Sequence, residues 1–350
     1  MLENLDFNDM MALSKKNLVP LNVEIEVCYT CNLNCKHCCQ NTHNAVGMSL
    51  EQYDILFDQL NAAGTLFIIL TGGEPFTRVD FMEIVKTARK HRLSVSIYTN
   101  ATLLDDEIIE QIKFLHVHEL HISLYSPNSD IHDKITGANG SFNRTISNIQ
   151  KLTKKGINVR IKCPLMNISV SGKDDMKKIA KEIGSKIQFS PIITAKNNGD
   201  TSTYNLRLSE EQIEEIISDP TVIPHSIKPR VYIDEIDDAP CDTVFNGGTV
   251  DPYGNVFVCA QLRIKGGNIL ENSFGEIWKK SKAFQDLRNI KMHHLIGCKE
   301  CSLFSFCNRC PGLALLEDGD LKGCSTAART LAKVRKKLNL YATKSIFNKL

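Results

Sequence analysis

The sequence predicts an α/β protein with a parallel sheet, followed by a cysteine-rich C-terminal region. Two observations carry this. Six short β-branched or aromatic runs alternate with segments of helical periodicity, and every cysteine except Cys163 lies at one end or the other of that alternation. The runs are NVEIEV (22–27), TLFIILT (65–71), SVSIYTN (94–100), HELHISLY (118–125), INVRIKC (157–163) and SKIQFS (185–190).

The intervening helices have start and stop signals. Ser49 with Gln52 forms a capping box ahead of an apolar face of Tyr53, Leu56, Phe57 and Leu60, and Asp80 with Glu83 repeats the device before Ile84, Val85 and Ala88. Gly64, Gly156 and Gly184 stand where a helix ends and a strand begins, a place that favours a left-handed cap. Six βα units with right-handed crossovers either curl into a barrel or spread into a doubly wound sheet, and periodicity does not decide between them. Both arrangements put the site at the C-terminal ends of the strands. Cys31, Cys35 and Cys38 follow the first run, Gly72, Gly73 and Glu74 the second, while Asn100 ends the third and Ser123 the fourth, so every unusual polar feature is expected on one rim.

With 350 residues, 42% of them hydrophobic, the chain can fill a large core, and its net charge of +2 provides no field of the kind that marks a nucleic-acid binder. The basic end, KVRKKLNLYATKSIFNKL, reads as a solvated helix face, with docking of an acidic partner as the alternative. The start MLENLDFNDM has no signal-peptide pattern, and the longest apolar run, LFIIL, is far short of a membrane span. The expectation is a cytoplasmic protein, bound to neither membrane nor nucleic acid, whose 13 cysteines are reduced, the two clustered groups of them holding metal.

Cys31, Cys35 and Cys38 form CxxxCxxC and offer three thiolates from one loop, whereas a [4Fe–4S] cubane needs four ligands. One iron is left open for a small chelating molecule. In TGGEPF, two glycines let backbone approach such a ligand and Glu74 can accept bonds from an ammonium. CNLNCKHC followed by GGE on the next βα unit resembles the radical S-adenosylmethionine (SAM) superfamily. The resemblance implies a partial (β/α)6, TIM-like barrel, SAM held by its amino and carboxylate groups on the open iron, and one-electron cleavage to a 5′-deoxyadenosyl radical. It implies a one-electron reductant such as flavodoxin or ferredoxin. A zinc knuckle using Cys28 and Cys31 is the competing reading; Cys28 is otherwise a packed thiol, Cys39 has no ligand role, and the resemblance implies that the His37 backbone lies near the adenine.

The same resemblance makes Asn100 and Ser123 SAM contacts. Relatives carry an arginine where SLYSPNSDIHDKITG has Thr136, and Lys134, Arg160 or Lys162 would replace it. Arg160 and Lys162 share one strand face and both point inward if either does, which puts Cys163 on the opposite face as a core cysteine.

Cys241, then Gly254 and Cys259, then CKECSLFSFCNRC and Cys324, resemble the SPASM extension of peptide and protein maturases, with two auxiliary iron–sulfur clusters of the [4Fe–4S] type. By that resemblance Cys298, Cys301, Cys307 and Cys324 hold an outer cluster and Cys241, Cys259 and Cys310 an inner one, whose fourth site is open, takes a carboxylate such as Glu235, or binds a substrate thiolate. The last step is one residue shorter than the usual CxxCx5CxxxC. A zinc ribbon is the plainer alternative.

The expected organisation is an N-terminal segment (1–20), a radical SAM barrel (21–218), a proline-broken linker (219–240) and a SPASM domain with terminal helix (241–350). The implied activity is hydrogen abstraction from a ribosomally made peptide, giving a cross-link, thioether or epimerised centre. The N-terminal segment is too short for a peptide-binding domain, so leader recognition falls to a separate protein or the barrel mouth. A formylglycine-forming sulfatase maturase, a cofactor- or haem-pathway enzyme and a non-catalytic iron–sulfur carrier are the rivals.

Overall fold

The computed structural model describes residues 6–40, 47–226 and 228–342; the last eight residues of the basic C-terminal stretch lie outside them. After a first helix, α1 (Phe7–Asn17), the chain runs β1 (Asn22–Cys28), α2 (Leu50–Ala62), β2 (Phe67–Gly72), α3 (Phe81–Lys90), β3 (Ser94–Thr99), α4 (Asp106–Phe114) and β4 (Glu119–Ser123). It continues with α5 (Ser129–Thr136), α6 (Ser141–Lys154), β5 (Val159–Pro164), α7 (Lys173–Ile183), β6 (Lys186–Ser190) and α8 (Glu210–Ile217). Strands β1 to β6 pair in parallel, in sequence order, and form an open, partial barrel.

Burial alternates strictly along β3 and β5, and β1, β2 and β4 are buried on both faces over part of their length. Val23, Ile25, Ile68, Leu70, Val95, Ile97, Leu120, Ile122, Val159 and Ile161 are buried against the helices, and each contributes roughly 1.5–3 kcal/mol of apolar transfer. The other face presents Glu24, Glu26, Tyr98, Glu119, His121, Arg160 and Lys162 to the barrel interior. The inner face is thus polar.

The Ser49–Gln52 capping box forms, and Gly64, Gly156 and Gly184 take φ of 90°, 76° and 77°. Asp80 does not cap α3. Both its carboxylate oxygens accept from Arg78, at 2.9 and 2.7 Å, so the side chain is withdrawn from the helix terminus it was expected to satisfy.

The C-terminal region comprises α9 (Thr243–Asn246), β7 (Thr249–Val250), β8 (Asn255–Phe257), β9 (Lys265–Asn268), α10 (Phe274–Lys280), α11 (Lys282–Arg288), α12 (Pro311–Asp318) and α13 (Thr326–Leu338). Its strands do not form a separate sheet. β7 pairs in parallel with β1, and β8 and β9 continue the same sheet as an antiparallel ribbon, giving the order β6-β5-β4-β3-β2-β1-β7-β8-β9. Arg263, between β8 and β9, reaches back to the Glu26 carboxylate. Helix α1 is held against this region by the Trp278 indole N–H donating to Leu18 O at 2.6 Å. Among the described residues no helix is long and apolar enough to cross a membrane.

Candidate functional site

The loop after β1 carries Cys31, Cys35 and Cys38. Backbone N–H groups of Asn34 and Lys36 donate to Thr136 O and Ile135 O, which fastens the loop to the end of α5. The three thiols lie within electrostatic reach of one another; burial pushes Cys31 up to about 11 and Cys35 up to about 12, and the neighbouring thiols add to both shifts. Left alone such thiols stay neutral, and binding to a cationic iron centre would make thiolates of them. Cys28 is buried, its Sγ against Thr30 O and Glu74 O, and Cys39 is exposed. The His37 ring meets Tyr125 edge-on at 4.5 Å, and Tyr125 stacks on His132 at 5.3 Å.

Beside this loop is the turn after β2. Gly72 has φ 140°, and a Cβ there would stand 2.1 Å from Cys28 O; a Cβ on Gly73 would stand 2.2 Å from Thr30 O. Gly73 N and Glu74 N donate to Cys28 O and Thr30 O, both at 2.8 Å. The glycines therefore admit the base of the cysteine loop, a nearer reason for them than the ligand approach expected from sequence. Glu74 is 1% exposed and its carboxylate is committed. It accepts from Thr99 Oγ1 at 2.6 Å, Asn100 N at 2.7 Å and Phe76 N at 3.3 Å, so it ties the ends of β2 and β3. Asn100 Nδ2 donates to Asn32 Oδ1 in the cysteine loop at 2.9 Å, and Ser123 sits at the end of β4 on the same rim.

The three candidates for the absent arginine part company. Lys134 is exposed. Arg160 is paired with Glu119 at 2.9 Å near the opposite end of the strands. Lys162 pairs in register with Ser123, donates to Gln188 Oε1 at 2.7 Å and lies over the Tyr98 ring; burial, then Arg160, brings it down to about 8. Cys163 is buried on the helix-facing side. Thr136 is fully buried with its hydroxyl on Ser141 Oγ.

The C-terminal cysteines form two groups. Cys241, Cys259 and Cys310 line one pocket whose remaining walls are mostly apolar, including Val244, Leu262 and Leu287, and burial pushes the Cys259 thiol up to about 12. Cys298, Cys301, Cys307 and Cys324 lie within electrostatic reach of one another elsewhere in the region. Only Asn308 and Arg309 separate Cys307 of one group from Cys310 of the other. Among the described residues no three Cys, His, Asp or Glu side chains close to the spacing of donors on a single ion. Thiolates of a cubane bond different irons and stand farther apart, so both groups suit clusters. Glu235 does not reach the inner pocket: it forms a two-pronged pair with Arg230, whose Nη1 donates to Cys307 O in the outer group.

Sequence reading missed Arg263, Arg309 and Arg335, because nothing local to each residue tells which charge or thiol it will face.

Residues 25–183 match the Radical SAM superfamily, and residues 241–311 match the SPASM iron–sulfur cluster-binding domain. The chain belongs to the radical SAM superfamily and is an enzyme of its SPASM-containing kind. Its domains bring SAM, an iron–sulfur cluster in the barrel and auxiliary iron–sulfur binding in the C-terminal region. Among relatives, it is 28% identical to an AdoMet-dependent heme synthase of Methanosarcina barkeri, over 86% of this chain and 94% of that one. It is 27% identical to the antilisterial bacteriocin subtilosin biosynthesis protein AlbA of Bacillus subtilis, over 83% of this chain and 67% of that one. The fold is similar to that of Streptococcus suis SuiB in complex with the precursor peptide SuiA, with a TM-score of 0.69 at 16% identity over 91% of this chain and 79% of that one.

Proposed function

We propose that this enzyme cleaves SAM at Cys31, Cys35 and Cys38 and abstracts hydrogen from a ribosomally made peptide, with two auxiliary clusters on the C-terminal cysteines. The observation behind it is the shared rim: the cysteine loop, the Gly72–Gly73 turn and Asn100 are interlocked by named hydrogen bonds at the C-terminal ends of β1 to β3, and Ser123 ends β4 on the same rim. When bound, the cluster and SAM supply one-electron cleavage of the sulfonium and a 5′-deoxyadenosyl radical. The protein supplies placement. Glu74 holds the backbone of Asn100, Asn100 holds the cysteine loop through Asn32, and Lys162 offers a cation beside Ser123 for a carboxylate. The likeness to AlbA, whose name is that of a bacteriocin biosynthesis protein, supports a peptide substrate. A reductant of flavodoxin or ferredoxin type and a separate leader-binding protein would serve it.

A second reading is oxidation of a small molecule in a haem pathway, favoured by the match across 94% of the Methanosarcina barkeri heme synthase. Anaerobic reconstitution should load about twelve irons, falling to about eight in a Cys31/Cys35/Cys38→Ala triple variant that forms no 5′-deoxyadenosine. Mass analysis after incubation with a peptide encoded beside the gene, and separately with an iron-containing tetrapyrrole carboxylate, then decides between substrates. Zinc in place of iron, with no SAM cleavage, would overturn the assignment.

A further inference from the structure

Three guanidinium groups surround the outer cysteines. Arg230 is neutralised by Glu235. The other two differ. Arg309 donates from Nε to Gly323 O at 2.6 Å and from Nη2 to Leu321 O, while its Nη1 is buried without a partner. Arg335 is 1% exposed, donates from Nη1 to Phe306 O at 3.3 Å, and its Nε is buried without a partner. Among the described residues neither forms an ion pair with a carboxylate. Arg309 lies between Cys307 and Cys310 in the chain and bonds the carbonyl of Gly323 beside Cys324, and Arg335 bonds the carbonyl of Phe306 beside Cys307, so both charges act on these thiols.

A buried cation without an anion costs several kcal/mol, and carbonyl dipoles only partly offset it. Arg288 also keeps one buried nitrogen, Nη2, without a partner, but it has two carbonyls and the faces of Trp278 and Phe284 at 4.2 and 5.2 Å. Arg309 and Arg335 have no aromatic face of that kind among the described contacts. What they share is the outer thiol group. A cubane held by four thiolates is anionic and gains another negative charge when it takes an electron, so fixed cations beside it favour the reduced form.

We infer that Arg309 and Arg335 are the counter-cations of an outer auxiliary cluster on Cys298, Cys301, Cys307 and Cys324, and that they set its potential above that of the cluster in the apolar Cys241–Cys259–Cys310 pocket. This rests on the proposed function. An electron delivered by an external one-electron reductant then resides on the outer cluster before the inner one. Because Arg309 also acts on Cys310, Arg335 isolates the effect on the outer group.

The test is a dithionite redox titration of the reconstituted full-length enzyme, followed by electron paramagnetic resonance. The outer signal is identified as the one lost in a Cys301→Ala/Cys324→Ala variant. Arg335→Gln should move the outer midpoint to more negative potential and leave the inner and catalytic signals in place, Arg309→Gln should move it further, and Arg335→Lys should recover most of the shift. An unmoved outer midpoint in both Gln variants with full iron content overturns the inference and leaves the proposed function standing. Absence of iron–sulfur signals from the wild-type enzyme overturns both. If the Gln variants load no outer cluster, the Lys variants decide: regained loading supports the inference, and equal loss assigns these residues to shape rather than charge.

Discussion

Arg263 of the C-terminal ribbon and Glu26 of β1 form a two-pronged ion pair inside the sheet, with Nη1 to Oε2 at 2.8 Å, and Gln40 and Tyr29 also donate to the same carboxylate. Glu26 is 3% exposed, so removing its cation strands a buried charge. Arg263→Met should lower stability by roughly 3–5 kcal/mol, and the Glu26→Gln/Arg263→Met double variant should regain at least half of that. Thermal unfolding of the three proteins under anaerobic conditions measures it. A loss in the single variant below about 1 kcal/mol would show that water reaches the pair.

Gly73→Ala drives a methyl group into Thr30 O, one residue before Cys31. The expected result is loss of roughly a third of the iron, the share of one cubane among three, with no 5′-deoxyadenosine formed and the auxiliary signals retained. Gly156→Ala is the control at a glycine with φ 76° but nothing within 4 Å of a Cβ, and should affect stability alone.

Glu24 lies inside the barrel, and burial, then Glu26, pushes its carboxyl from 4.5 up to about 7. The folded state thus holds a proton that the unfolded state releases. Stability from this group is fully present below pH 4.5 and is lost as pH rises through about 7. Glu24→Gln should flatten the fall of Tm between those limits, by an amount worth on the order of 1–3 kcal/mol. Parallel Tm curves for the two proteins would refute it.

Lys162, brought down to about 8, should bind a carboxylate in its charged form. Affinity for SAM is expected to weaken as pH rises past about 8 in the wild type and to fall roughly 10- to 100-fold in Lys162→Gln, with little pH dependence left near 8. Calorimetric titration across that range checks both, and an unchanged affinity would confine Lys162 to its contacts with Gln188 and Tyr98.

The barrel half was largely legible because its signals are local. All six strand runs overlap their observed strands, β1, β2 and β5 each running one residue past the predicted end, and Gly64, Gly156 and Gly184 occupy the predicted left-handed caps. Asp80 failed because a side chain two residues earlier competes for its carboxylate, which a capping pattern does not weigh. Thr249–Val250 is too short to carry an alternating pattern, so the return of the chain to β1 was invisible. Glu235 was misjudged as a ligand candidate because its charge was visible and its partner Arg230 was not. The rim residues could be found by motif, whereas the commitment of Glu74 to Thr99 and Asn100 required the register of β2 and β3.

The two residues between Cys307 and Cys310 have a kinetic meaning as well. Three Cα steps span at most about 11 Å, so the covalent chain keeps a proposed ligand of the outer cluster within that backbone distance of a proposed ligand of the inner one. Electron tunnelling between the two proposed clusters would therefore be insulated from breathing of the helices around them, with its rate left largely to the difference in driving force.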